Sequence, residues 1–190
     1  MPLEDLSPVA DVDDETTAAY QKAITLLANH CPIYLPWVLR ALCYVIPLHP
    51  ANVRSGSVGD QFGVIAVSLG QDTMVLGESF VHEASHQYLN LLCRLGPIDD
   101  GTDTNLYYSP ARQTERPLGK IVTAYHAFAN MLQFYRMCRS NGLVGEGDYS
   151  QREAELVSQV DQLETPLRSN SALTLIGRSL CDPLIERLNG

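Results

Sequence analysis

From Glu78 to Leu95 the chain contains no proline or glycine, and Phe80, Val81, Ala84, Leu89, Leu91, Leu92 and Leu95 set apolar side chains nearly all round a helical cylinder. A helix that is apolar on every side is a buried one. The pattern predicts a helix over about Thr73–Leu95, stopped by Gly96-Pro97. A second mostly apolar run, Ile121 to Leu132, belongs to a helix expected from about Pro117 to Ser140 and closed by Asn141-Gly142. Elsewhere, Asp13-Asp14-Glu15 places acids at the start of a helix running to about His30, and Pro32 and Pro36 introduce another through Leu42. Two more helices are expected near Tyr149–Glu164 and Ala172–Asn189. Strand signals are few: Tyr44–Leu48 and Phe62–Leu69, with Asn52–Asp60 read as a Gly/Ser loop and the stretch from Asp99 through the Tyr-Tyr-Ser-Pro segment as another. The expected fold class is therefore mainly α with a minor β element, α+β being the alternative. One domain over 1–190 is expected, with residues 1–12 a loose acidic tail and no interdomain linker.

The first apolar helix carries the one motif that announces chemistry. His82-Glu83-Ala84-Ser85-His86 is an HExxH sequence. Residues four apart on a helix share a face, so both imidazoles can reach one metal ion, with Glu83 beside them. The familiar reading is a zinc peptidase with Glu83 as general base on a zinc-bound water. The longer zinc-peptidase motif HExxHxxGxxH would need glycine at 89 and histidine at 92, and both positions are leucine. A glutamate ligand on a second helix is also missing, because Glu115 stands just ahead of Arg116-Pro117, more like a loop entering a helix.

A third ligand has three candidate histidines outside the motif. His49 lies between prolines in an extended segment that suits a surface residue, and His30 ends a helix, where an imidazolium favours the helix dipole. His126 sits within the second apolar helix and is the expected third ligand, against the reading of a hydrogen-bonded core histidine. The metal site would then lie between two buried helices. Glu78, four residues before His82, is placed either to orient that ligand or bind the metal, or, with slightly more weight, to serve the helix dipole in the first turn. Arg152-Glu153-Ala154-Glu155 reads as a solvated face.

Four stretches in order carry a resemblance: the run Ser55 to Ser68, the HExxH helix, Tyr107-Tyr108-Ser109-Pro110-Ala111-Arg112, and Arg116-Pro117-Leu118-Gly119 with the helix ending Phe134-Tyr135-Arg136. Over about residues 55–136 the chain resembles the HExxH-type peptide β-hydroxylases that depend on 2-oxoglutarate, some of which are fused to radical-SAM enzymes. The resemblance implies non-haem Fe(II) in place of zinc, with 2-oxoglutarate and O2 as co-substrates. It makes His82, His86 and His126 the iron ligands and gives Glu83 the part of holding a ligand or bound water. Most such oxygenases use two histidines and a carboxylate, and no carboxylate stands on a comparable helix here, so three histidines would be a departure. Arg116, or Arg112, would grip the distal carboxylate of 2-oxoglutarate through paired hydrogen bonds, with Tyr107, Tyr108 and Ser109 as hydroxyl donors. Surface salt bridging around Glu115 is the plainer reading of both arginines. The implied substrate is a peptide, free or carrier-bound, on its way to a natural product, with a radical-SAM or other biosynthetic enzyme as partner. A zinc metallopeptidase and an inactive metal- or peptide-binding module are the alternatives.

Composition narrows the field only a little. A net charge of −9 disfavours nucleic acid and anionic membrane and would suit a peptide with basic residues. The five cysteines (Cys31, Cys43, Cys93, Cys138, Cys181) form no CxxC pair, and four lie in apolar helical stretches, which points to buried free thiols in a reducing cytoplasm. The N-terminus has no basic-then-apolar secretory pattern, and the apolar stretch Ile33–Leu48 is broken by Pro36, Arg40 and Pro47.

Overall fold

Helix starts follow the chemistry of orphaned N–H groups. A computed structural model describes residues 12–48, 55–57, 61–68, 70–143 and 149–189. Its elements are α1 (Asp14–His30), α2 (Tyr34–Ala41), β1 (Tyr44–Leu48), β2 (Ser55–Ser57), β3 (Val64–Ser68), α3 (Thr73–Cys93), β4 (Leu106–Ser109), β5 (Thr114–Pro117), α4 (Leu118–Ser140), α5 (Ser150–Glu164) and α6 (Leu175–Asn189). The protein is mainly α with a minor β element. Asp13 caps α1 by accepting from the Thr16 N–H at 2.7 Å. Pro36 falls in the first turn of α2, where no intrahelical N–H is required. At α6 the start moves from the expected Ala172 to Leu175, because the Thr174 hydroxyl accepts from the Gly177 N–H at 3.2 Å. The acidic stretch up to residue 11 and His49 lie outside the described residues.

The chain forms two compact units: Met1–Gln87 with Met137–Leu143, and Tyr88–Arg136 with Val144–Gly190. No linker composition marks the division, because the chain passes from one unit to the other within α3 and again within α4.

In the first unit a three-stranded sheet has the order β1-β3-β2, β1 parallel and β2 antiparallel to β3. The register pairs Val45 with Ile65, Pro47 with Val67, Ser55 with Val67 and Ser57 with Ile65, so these six side chains share one face. β2 was expected to be loop, and Ser-Gly-Ser is a poor strand former; pairing with β3 imposes the extended backbone. The Tyr20 ring of α1 packs on Phe80 of α3 at 5.9 Å. The far ends of α1 and α4 are joined: the Cys31 and Cys138 sulfurs lie 3.2 Å apart, and the Asn141 amide donates to the His30 carbonyl at 2.7 Å. His30 is 3.2 Å from the Asn141 carbonyl through Nδ1, which must therefore carry the proton. All five cysteines are free, but only Cys31, Cys138 and Cys181 are buried; Cys43 and Cys93 are exposed, fewer inside than the apolar runs suggest.

The second unit holds a hairpin the sequence does not announce. β4 and β5 pair antiparallel, Tyr107 opposite Arg116 and Ser109 opposite Thr114, and α5 packs on β4. The turn is carried by Gln113 at φ 52°, a left-handed position that glycine usually marks, so no turn signal is written there. Two carboxylates organise this unit. Glu164, buried, accepts from the Tyr125 hydroxyl at 3.0 Å and the Asn189 amide at 3.1 Å and pairs with Arg168. Asp103 accepts from Asn170 at 2.9 Å, from the Tyr107 hydroxyl at 2.6 Å and from the Asn105 N–H at 3.0 Å. Helix α6 lies so close to the Ile98 backbone that a Cβ on Gly177 would stand 2.1 Å from the Ile98 oxygen.

Two outcomes follow from these contacts. Gly177→Ala forces α6 off Ile98 and is expected to lower stability by about 3 kcal/mol in urea denaturation, whereas Gly142→Ala, at φ +78° with open space, costs about 1 kcal/mol. The bonds from Asn170 and then Tyr107 hold the Asp103 carboxyl down from 3.8 to about 2. A depressed carboxyl contributes stability above its unfolded value and loses it as pH falls through the folded one. Acid unfolding followed from pH 3.8 to about 2 should thus be shallower in Asp103→Asn than in the parent.

Candidate metal centre

Helix α3 is capped by Asp72, which accepts from the Met74 and Val75 N–H groups at 2.8 and 2.9 Å. The helix starts at Thr73, so Glu78 falls in the second turn, buried, and the first-turn dipole role expected for it belongs to Asp72.

Two polar side chains on one stripe of α3 fasten it to the sheet. Ser55 and Ser57, alternate residues on one face of β2, donate to the two oxygens of Glu83, Ser55 to Oε1 at 2.7 Å and Ser57 to Oε2. One turn on, Gln87 Oε1 accepts from the Gly63 N–H at 3.1 Å, and Gln87 Nε2 lies 3.4 Å from the Val64 carbonyl. Glu83 is 1% exposed and Gln87 2%, so these bonds answer a need that water cannot meet. Gly63 turns at φ +86°, and a Cβ there would meet the Cys43 sulfur at 3.0 Å. The bare turn aims its N–H at Gln87.

His82 and His86 occupy the neighbouring stripe, about 100° round the helix from Glu83 and Gln87. Both are partly exposed. Their Nε2 atoms are 3.0 Å apart, with the rings at 88°. Two nitrogens each ~2.1 Å from one ion are ~3.0–3.4 Å apart, so the pair fits a shared metal. Without an ion, the contact requires one Nε2 to carry a proton and the other to be bare. Glu83 Oε1 stands 3.8 Å from His82 Nε2, near enough for charge to be felt but beyond a hydrogen bond.

The remaining candidates belong to the second unit. His126 is buried on α4, its carbonyl accepting from the Asn130 amide at 2.7 Å. Among the described residues no group of three or more His, Cys, Asp or Glu side chains is gathered for a metal. The hairpin register divides the co-substrate candidates that lie on its strands. Ser109 and Arg116 share a face with Tyr107, while Tyr108, half exposed, lies with Glu115 on the other. Tyr107 already donates its hydroxyl to Asp103. Arg112 is exposed in the turn and Arg116 half-buried; the expected surface salt bridges are not made, since among the described residues neither arginine has an ion pair.

Sequence reading missed Ser55, Ser57 and Gln87. The signals were slight: a Ser-x-Ser alternation ahead of the motif, and a glutamine directly after it on a helix otherwise apolar. Gln87→Leu leaves the buried Gly63 N–H without its acceptor and should cost about 1–3 kcal/mol in urea denaturation. The exposed change Asn90→Ala on the same helix should stay within about 0.5 kcal/mol.

Among known proteins, no protein-family model matches the chain and no curated protein matches it.

Proposed function

We propose that this protein is a non-haem Fe(II)- and 2-oxoglutarate-dependent oxygenase that hydroxylates an unactivated carbon of a peptide or peptide-like natural-product intermediate. The observation that carries the reading is the pair His82–His86, 3.0 Å apart at Nε2, beside a Glu83 whose two oxygens both accept serine hydroxyls. A peptidase needs that carboxylate turned to a metal-bound water as a proton acceptor. Here both Glu83 oxygens accept serine hydroxyls, which supports a holding part for it beside the metal; the choice of the oxygenase over the zinc metallopeptidase rests on the sequence resemblance.

His82 and His86 would hold the ion, and His126 is the third ligand that the sequence resemblance assigns. Iron bound there with 2-oxoglutarate and O2 supplies oxidation of a C–H bond, one oxygen atom going to the substrate and the other to succinate as CO2 leaves. Of the two arginines, Arg116 is the better clamp for the distal carboxylate: it is half-buried, free of ion pairs among the described residues, and shares its hairpin face with Ser109. Arg112 in the exposed turn is the second choice, and Tyr108 on the opposite face contributes least. The net charge of −9 suits a peptide substrate with basic residues. Five free cysteines support a reducing, cytoplasmic setting, and among the described residues no helix is long and apolar enough to cross a membrane.

Anaerobic loading of the apoprotein with Fe(II), followed by titration with 2-oxoglutarate, tests the reading. The expected result is the weak visible charge-transfer absorption of the chelate, abolished in His126→Ala and shifted to at least tenfold higher 2-oxoglutarate in Arg116→Ala. Tight Zn(II) binding with no such band, and peptide hydrolysis lost in Glu83→Gln, would establish the peptidase instead.

A further inference from the structure

The run Ser55-Gly56-Ser57 stands ahead of the motif helix and supplies no metal-binding atom in the reading above, yet it is tied to that helix at its most buried carboxylate. We propose that Ser55 and Ser57 are positioning residues of the metal centre: by holding both oxygens of Glu83 they fix the rotation of α3 about its axis and so aim His82 and His86 at a common ion.

Three observations carry this. First, the serines are placed independently of the helix, because β2 is held by β3 in a register that pairs Ser55 with Val67 and Ser57 with Ile65. Second, both face the same way, since they alternate on one strand, and each takes one oxygen of a side chain that is 1% exposed. Third, Gln87 repeats the fastening one turn on, through Gly63. A helix held at one point can still swivel about it; the second point one turn on fixes the direction of the axis, and the separate bonds to the two oxygens of Glu83 resist roll about the line through both points. His82 and His86 each directly precede a fastened residue, so rolling the helix would swing both imidazoles off their shared position. Groups bonded directly to a metal ligand are typically worth about 10–100-fold in metal affinity; the serines act one residue removed, through Glu83, so their effect is expected at the lower end of that range.

The proposal rests on His82 and His86 binding a metal but not on which metal, so Co(II) serves as probe. In calorimetric titration, Ser55→Ala and Ser57→Ala should each weaken Co(II) binding by on the order of tenfold and alter the visible d–d spectrum. Ser55→Thr and Ser57→Thr, which keep the hydroxyl, should restore both. In the metal-free protein, the imidazole nitrogen resonances of His82 and His86 should shift in the alanine variants and return in the threonine ones, with circular dichroism unchanged. Alanine variants that fold and leave both Co(II) affinity and imidazole resonances at parental values would overturn the proposal. A parent that does not bind Co(II), but whose imidazoles respond to the serine changes, would overturn the metal reading and leave the positioning role standing.

Discussion

A carboxylate buried between a helix and a sheet is the constraint around which the first unit is arranged. Glu83 has lost its water, and an ionised oxygen pair without donors would destabilise the interface. The serines of β2 answer that need, which explains why a three-residue strand of poor strand formers is kept in place. Gln87 does the same for the turn at Gly63, so the helix is located against the sheet by polar contacts of fixed geometry. Apolar packing tolerates a small roll of a helix. Paired hydrogen bonds to both oxygens of one carboxylate tolerate much less.

The second unit solves a similar problem with different donors. Glu164, the last residue of α5, gathers a phenol from α4, an amide from α6 and the Arg168 guanidinium from the turn that follows α5, while Asp103 ties the hairpin to the segment before α6. Burial pushes the Tyr125 phenol well above its ordinary value, which keeps it a donor to Glu164. Both units thus pin their elements through carboxylates that accept several hydrogen bonds. The two long helices shared between them run without a break through the division.

For function, the important distinction is what the glutamate of HExxH is doing. The same letters suit a carboxylate that takes a proton from bound water and one that only holds its surroundings in place. Here the partners of Glu83 lie on β2, well before the motif in sequence, so the motif alone leaves both chemistries open.

Much was legible from the sequence. Uninterrupted apolar runs gave the two long helices within a residue or two of their observed ends, because period and breakers are local properties. The spacing of His82 and His86 was enough to put both imidazoles on one face, since four residues is close to one helical turn. What the sequence did not show was everything that depends on distant partners. β2 is a strand only because β3 is beside it, and Tyr108 and Ser109, neighbours in the chain, part to opposite faces only because they join a hairpin. The sequence by itself determined which residues could bind a metal and that they would sit on a buried helix. Only the tertiary structure decided which way that helix faces, because its rotation is set by hydrogen bonds from residues that no local pattern connects to it.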